Sequence, residues 1–131
     1  MENKIVVHMK DGSVHKGVTQ DFQPGSGSFH VLPAEGGGVP RRVSVEAMKA
    51  LFYVKDYVGN RDFVARQQFD EAHRSGRKAI LTFLDGETMW GMLGEGGDAD
   101  PGFYFFPLDE QDNNIRIFVV RSSLQEMRLV P

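Results

Sequence analysis

The sequence contains no cysteine, so disulfide bonds and cysteine-ligated zinc are both excluded. No apolar run approaches the roughly 20 residues that a membrane-spanning helix requires. The N-terminal residues, Met1-Glu2-Asn3-Lys4-Ile5, lack the basic segment and apolar stretch of a secretory signal. We therefore expect a soluble, cytoplasmic protein that does not contact a membrane.

The residue sets that carry catalysis are also missing. The sequence has no cysteine nucleophile, no recognisable serine–histidine–acid arrangement and no carboxylate pair in an apolar context. The glycine-rich segments 24–28 and 94–97 do not clearly open a helix after a strand, where a phosphate loop obtains its amide donors. We therefore predict that the protein is not an enzyme and has no cofactor.

The histidines and clustered carboxylates could in principle bind metal ions, but we interpret them as surface residues. His8 and His15 are predicted to face each other across a hairpin, with His30 nearby, and transition metals bind such histidines. The second half of the chain has no histidine at the matching positions, so we predict surface histidines and no metal site. A solvated acidic face is predicted for Asp98, Asp100, Asp109, Glu110 and Asp112.

What the sequence does contain is an internal repeat. Segment 10–17 returns as 84–91, and segment 29–33 returns as 103–107 at the same interval. The interval then lengthens slightly, and Val43, Met48, Leu51 and Val54 coincide with Val119, Leu124, Met127 and Val130. Recurrence at a nearly fixed interval indicates duplicated structural units.

Each unit is predicted to contain five short strands, because apolar residues alternate with polar ones between turn signals. An Asp-Gly pair at 11–12, and again at 85–86, predicts a two-residue type I′ hairpin turn. In that register one face, the expected core face, carries Ile5, Val7, Met9, Val14 and Val18. Gly17 and Gly91, inside the second strand of each unit, favour a bend that curls the sheet.

These features predict a mostly all-β fold of two tandem five-stranded small barrels packed together. Residues 1–55 form the first barrel, residues 56–77 a linker and residues 78–131 the second barrel. Residues 63–73 of the linker have the composition of a short helix ended by Gly76, although their apolar stripe is weak.

Charge is unevenly distributed between the units. Residues 1–55 carry seven basic and five acidic side chains, whereas residues 78–131 carry four and nine. Lys16, Arg41, Arg42 and Lys49 would form a basic rim that could hold RNA, a cyclic dinucleotide or an acidic protein. Solubilising charge at a sheet edge is the alternative interpretation.

Aromatic residues concentrate in the second unit. Trp90 stands where the first unit has Lys16, and it is predicted to face inward. Both faces of segment 102–107 are apolar, so one face needs a cover. We expect Trp90, Tyr104 and Phe106 to contact the other barrel, the linker or a partner.

The spacing apolar-x-apolar-x-x-Asp-Gly-x-x-x-x-Gly, followed by a strand with phenylalanine, resembles the first sequence motif of Sm-like proteins, the Hfq and LSm superfamily. It occurs at residues 5–22 and again at 80–91. The second Sm motif, which carries most RNA contacts in that superfamily, is not recognisable in segments 41–45 and 115–120. The resemblance therefore implies an Sm-like or SH3-like barrel fold without implying RNA binding.

The whole chain is similar to a bacterial family of uncharacterised tandem Sm-like domains. The residues that carry this resemblance are Lys10-Asp11-Gly12, the strand at 29–33, the linker start at 53–56 and the block at 113–120. The resemblance implies an accessory module, of a kind sometimes found beside PilZ or signalling domains, and it supplies no catalytic residues.

The sequence therefore predicts a non-enzymatic interaction or adaptor module that binds a protein or associates with its own copies. Binding of RNA or a cyclic dinucleotide through the basic rim of the first barrel is the alternative. The net charge of −3 and the missing second motif disfavour nucleic acid.

Overall fold

Ten β-strands make up most of the chain that the computed structural model describes, which is residues 3–34, 38–58, 68–69, 77–94, 101–109 and 111–131. They are β1 Asn3–Met9, β2 Val14–Thr19, β3 Ser28–Pro33, β4 Arg41–Ser44, β5 Met48–Val54, β6 Lys78–Phe83, β7 Thr88–Leu93, β8 Gly102–Pro107, β9 Asn114–Val120 and β10 Leu124–Val130. Short 3₁₀ turns, Val45–Ala47 and Arg121–Ser123, precede β5 and β10. The fold is all-β, and its strands lie close to where the sequence predicts them. The expected linker helix, apart from residues 68–69, lies outside the described residues.

The turn between β1 and β2 is not the predicted type I′ turn. Gly12 has a φ of 93°, and no non-glycine residue that the structure describes has a positive φ. Asp11 therefore lacks the positive φ that a type I′ turn needs. The amide of Met9 donates to the carbonyl oxygen of Ser13 at 2.9 Å, which closes a three-residue loop from Lys10 to Gly12. This geometry is a type I turn followed by a glycine bulge.

The extra loop residue shifts the hairpin register by one and reverses the predicted faces of β2. Val7 pairs with His15 and His8 pairs with Val14, so the two histidines point to opposite faces instead of facing each other. Val14, predicted in the core, is 44% exposed. Val18 lies on the same face as Val14, and the prediction of a common core face with β1 was wrong.

The same shift corrects the prediction for Trp90. The second hairpin has the same loop length and glycine conformation as the first. Trp90 pairs with Ile80, whereas the buried Leu81 pairs with Met89. Trp90 therefore lies on the face opposite to Leu81, half-buried, and does not face the core of its own unit.

All ten strands form one antiparallel sheet in the order β10-β6-β7-β8-β9-β5-β1-β2-β3-β4. The pairing of β5 with β9 joins the two halves of the chain, with Leu51 opposite Phe118 and Phe52 opposite Ile117. We expected two barrels packed against each other, and we did not predict that strand pairing would connect them. The halves share a single continuous sheet.

The two halves have the same strand order and the same registers. The order β5-β1-β2-β3-β4 in the first half corresponds to β10-β6-β7-β8-β9 in the second. Ile5 pairs with Gly17 in the first hairpin, and Ala79 pairs with Gly91 at the equivalent place in the second. Each strand therefore has a definite counterpart in the other half.

The buried residues form two apolar cores, and β5 and β9 contribute to both. We call the core around Phe29 the first core and the core around Phe83 the second core. The first core receives Leu51 and Tyr53 from β5 and Phe118 and Val120 from β9. The second core receives Ala50, Phe52 and Val54 from β5 and Ile117 and Val119 from β9. Because neighbouring side chains on a strand point to opposite faces, each of these two strands is buried on both sides.

Gly17 and Gly91 occupy equivalent positions where a neighbouring strand passes too closely for a side chain. A Cβ atom at Gly17 would collide with the carbonyl oxygen of Leu32. A Cβ atom at Gly91 would collide with the carbonyl oxygen of Phe106 and lie 2.6 Å from the ring of Phe105. These glycines allow close approach of β3 to β2 and of β8 to β7.

We expect Gly91→Ala to lower the free energy of unfolding by about 3 kcal/mol, because the added methyl group meets backbone and a buried ring. Gly25→Ala is the matched control, since a Cβ atom at Gly25 has open space and should have little effect. Denaturant unfolding of both variants measures the difference. Equal stabilities would contradict the close approach.

Candidate functional site

The four residues of the predicted basic rim lie in three separate surroundings. Arg41 and Arg42 are exposed on β4, at one end of the described sheet. Lys16 on β2 donates from Nζ to the carbonyl oxygen of Tyr57 at 3.1 Å. Lys49 lies on β5, which three other strands separate from β4. The strand order therefore does not bring the four side chains together along one edge.

Lys49 connects the two halves of the molecule. Its ammonium donates to the carboxylate of Asp85 at 2.7 Å and to that of Glu87, both at the turn between β6 and β7. The ammonium also lies 4.6 Å from the centroid of the Phe83 ring. The Lys49 side chain is only 11% exposed, so it serves this junction and not an open rim.

The charges at this junction keep one another ionised. The hydrogen bond from Lys49 is the main cause of a lowered pKa at Asp85, and the backbone amide of Glu87 adds to it. Burial is the largest single effect on Lys49 and acts to lower its pKa, but hydrogen bonds and charges from Asp85 and Glu87 together raise it. The ion pair therefore persists at neutral pH.

The histidines do not gather into a site. The His8 ring packs edge-on against Phe52 at 4.8 Å, and burial lowers the pKa of His8. His30 places Nδ1 2.8 Å from Oδ2 of Asp21, and the backbone amide of His30 is the main cause of a lowered pKa at Asp21. Within the described residues, no three histidine or acidic side chains are grouped to hold a metal ion.

The predicted acidic face is described only in part, because Asp98, Asp100 and Glu110 lie outside the described residues. Asp109 accepts a hydrogen bond from the amide of Gln111 at 2.9 Å, and Asp112 accepts one from the amide of Asn114 at 2.9 Å. Both bonds are local turn contacts leading into β9. These two carboxylates shape a loop.

Of Trp90, Tyr104 and Phe106, Tyr104 contacts the other half. Its ring centroid is 6.5 Å from that of Tyr53 on β5 and 5.4 Å from that of Phe118. The guanidinium of Arg116 lies 4.3 Å from the Tyr53 ring and 4.8 Å from the Tyr104 ring. Cation–π contact with both rings ties β8 and β9 to β5.

Trp90 and Phe106 have different surroundings from Tyr104. The Trp90 ring lies 5.2 Å from that of Phe69, a described residue of the linker. Phe106 on β8 is 40% exposed. The structure thus places Tyr104 at the junction, Trp90 against the linker and Phe106 at the surface.

A groove of about 450 Å³ runs along the seam between the halves. Its apolar lining is Val6, Val14, Phe52, Val54 and Met89, and its polar lining includes His8, Lys16, Glu87, Asn113 and Asn114. Asn113 donates from its side chain to the carbonyl oxygen of Asp56 at 2.8 Å, and Tyr57 donates its hydroxyl to the carbonyl oxygen of Gly17 at 2.9 Å. Polar groups here fasten segment 55–58 over the seam.

Strand β10 presents a surface that is not among the candidate sites predicted from the sequence. In the part of the chain that the structure describes, it ends the sheet and pairs only with β6. Leu129 is 56% exposed, although it pairs with the fully buried Ala79. Its counterpart in the first half, Tyr53, is 6% exposed because β9 covers it. The charged residues that interrupt segment 126–130 were the available sequence signal for an uncovered strand.

The family model described as "Family of unknown function (DUF6982)" matches residues 1–131, the whole chain. The chain belongs to the DUF6982 family. No curated protein and no solved structure is detectably similar to it. Among its described residues, no helix of the DUF6982 chain has the length and apolar character needed to cross a membrane.

In the DUF6982 chain we expect Lys49→Met to lower the free energy of unfolding by about 1 kcal/mol at pH 7, because it removes one cation facing two carboxylates. Asp85 has a lowered pKa when folded, so its contribution is present at neutral pH and is lost as pH falls through that pKa. The difference between wild type and variant should therefore disappear in acid. Unfolding curves at several pH values measure it.

Lys16→Met is the matched control for this experiment, because Lys16 contacts a carbonyl oxygen instead of a carboxylate. Its effect should not vanish when Asp85 is protonated. A Lys49→Met difference that is the same at pH 7 and in acid would contradict the ion pair.

His8 should make folding sensitive to mild acid. Its folded pKa lies below the ordinary value of 6.5, so the unfolded chain takes up a proton that the folded chain resists. The free energy of unfolding then falls as pH drops below about 6.5. His8→Thr, which introduces the residue found at the matching Thr82, should reduce this slope. His15→Thr is the control, and an unchanged slope in His8→Thr would contradict the assignment.

Proposed function

We propose that this protein is a non-enzymatic interaction module that binds an extended segment of a partner protein along β10. The observation that carries the proposal is the seven-residue β10 at the end of the described sheet, paired on one side with β6. An edge strand offers a row of backbone donors and acceptors to an incoming strand. The proposal keeps the cytoplasmic setting expected from the sequence.

The side chains of β10 define the chemistry of the partner. Met127 and Leu129 pair with the buried Leu81 and Ala79, so they lie at the margin of the second core. Glu126 and Arg128 alternate with them and are exposed. A strand added here would place apolar side chains beside Met127 and Leu129, and polar or charged ones beside Glu126 and Arg128. The partner segment should therefore alternate apolar and charged residues.

The other end of the sheet is a poorer template for a partner strand. Strand β4 has four residues and begins directly after Pro40, whose backbone has no amide hydrogen. Arg41 and Arg42 are both exposed on it. Short length, proline and charge are the usual protection of an edge strand against pairing.

We also propose that each half is a small Sm-like barrel, with units at residues 1–55 and 78–131. The recurring strand order and the recurring registers support this proposal. Strand-mediated contact between such units already occurs once, between β5 and β9. Binding through strand edges therefore extends an interaction that the fold itself uses.

The alternative, RNA or cyclic-dinucleotide binding through a basic rim, has less support. Lys49 is held by two carboxylates, and Lys16 contacts a carbonyl oxygen. Arg41 and Arg42 stay exposed on β4, but two side chains offer few phosphate contacts.

Peptides selected from a display library of random extended segments against the intact chain would test the proposal. We expect selected peptides to alternate apolar and charged residues, to protect β10 amides from hydrogen exchange, and to lose at least about tenfold in affinity on Leu129→Asp. Val14→Asp is the control, because Val14 is similarly exposed and lies in the other half. Selected peptides that bind Leu129→Asp as well as wild type, or a selection without binders, would overturn the proposal.

A further inference from the structure

The joint between β5 and β9 is built from apolar side chains that each half inserts into the core of the other. Phe118 and Val120 of β9 enter the first core. Ala50, Phe52 and Val54 of β5 enter the second core. Phe118 and Val120 are fully buried, and so is Ala50. The joint therefore depends on apolar residues at alternate positions of both strands.

The two strands at the ends of the described sheet are the counterparts of this pair. Phe29 pairs with Val43 on β4, and Phe103 pairs with Val119 on β9, so β4 corresponds to β9 at the repeat interval that separates Val43 from Val119. Strand β10 corresponds to β5 at the same interval. A joint of this head-to-tail kind can repeat between copies of a chain and produce rings or filaments.

The residues that build the joint are replaced at both ends. On β4, Arg42 and Ser44 stand where β9 has Phe118 and Val120. On β10, Glu126 and Arg128 stand where β5 has Ala50 and Phe52. All four replacements are exposed.

A second copy pairing in the same register would place the charged replacements on β4 and β10 in unfavourable surroundings. Transferring the observed β5–β9 register to the equivalent positions of β10 and β4 places Arg42 of one copy opposite Met127 of the other, at the margin of the second core. It also places Arg41 directly opposite Arg128, which sets like charges against each other. Burying a charge without a partner is strongly unfavourable.

The ion pair that supports the joint is lost at the ends as well. Lys49 corresponds to Gln125, and Glu87 corresponds to Ser13. A second copy would therefore meet Gln125 near the first hairpin where the internal joint has a lysine facing two carboxylates. Neither the apolar nor the ionic part of the joint is reproduced.

We propose that the joint forms only once in each chain, because four residues prevent pairing with a second copy. These residues are Arg42 and Ser44 on β4 and Glu126 and Arg128 on β10. These four residues determine specificity. They leave the backbone of β10 open to an extended peptide, and they prevent its pairing with β4 of a second folded copy. Exclusion of a second copy does not depend on whether β10 binds a peptide.

Sedimentation of the intact wild-type chain is the first measurement. We expect a monomer up to the highest concentration at which the chain stays in solution. Wild-type dimers or larger assemblies whose β4 and β10 amides become protected from hydrogen exchange would overturn the proposal.

The second measurement restores the joint at each end separately. One variant carries Arg42→Phe and Ser44→Val, and the other carries Glu126→Ala and Arg128→Phe. Each variant alone should remain largely monomeric, because one restored edge meets an unrestored one. An equimolar mixture should form a heterodimer, with affinity at least about tenfold above that of either variant alone.

Circular dichroism and thermal melting of each variant establish that it is folded before mixing, and the four positions are exposed, so folding should be retained. Mixing wild type with either variant is the matched control and should give no heterodimer. A mixture of folded variants that stays monomeric would overturn the assignment of these residues.

Discussion

The pairing of β5 with β9 is the constraint on which the rest of the molecule depends. It makes one sheet out of two halves, and it also completes two cores, because each strand is buried on both faces. A unit of about 55 residues is near the lower limit for independent folding. Each half therefore obtains from its neighbour the apolar surface that it lacks, and loss of the pairing would open both cores together.

Much of the strand layout could be predicted from the sequence, because the internal repeat and the apolar alternation mark each strand. The hairpin register could not, because an Asp-Gly pair suits both a type I′ turn and a type I turn with a glycine bulge. The difference depends on the φ of Asp11, which the sequence does not reveal. Alternation also misled in β1, where Ile5, Val6 and Val7 are all buried since the strand serves both cores.

The residues of the predicted basic rim lie apart for a related reason. The prediction groups four residues of one half by charge alone: Lys16, Arg41, Arg42 and Lys49. The partners of Lys49, however, are Asp85 and Glu87 in the other half. Residues so far apart in the sequence meet here because β5 pairs with β9. The sequence did contain a signal for that joint: the uninterrupted apolar run at 50–54 is typical of a strand buried on both faces, and its counterpart at 126–130 is interrupted by charge.

Differences between repeats are therefore as informative as their similarities. A polar residue on an exposed edge strand costs little, since water solvates it, but the same residue under a neighbouring strand is expensive. Arg42 and Glu126 can thus direct assembly without weakening the folded chain, whereas Phe118 and Phe52 on the covered strands must be buried. Once a duplicated unit has a head-to-tail joint inside the chain, divergence at its two outer strands is enough to prevent further addition. The free-energy cost of a polar residue on an edge strand depends on whether another strand covers it. One fold can therefore pair two of its edge strands inside the chain and prevent further pairing at its two outer strands.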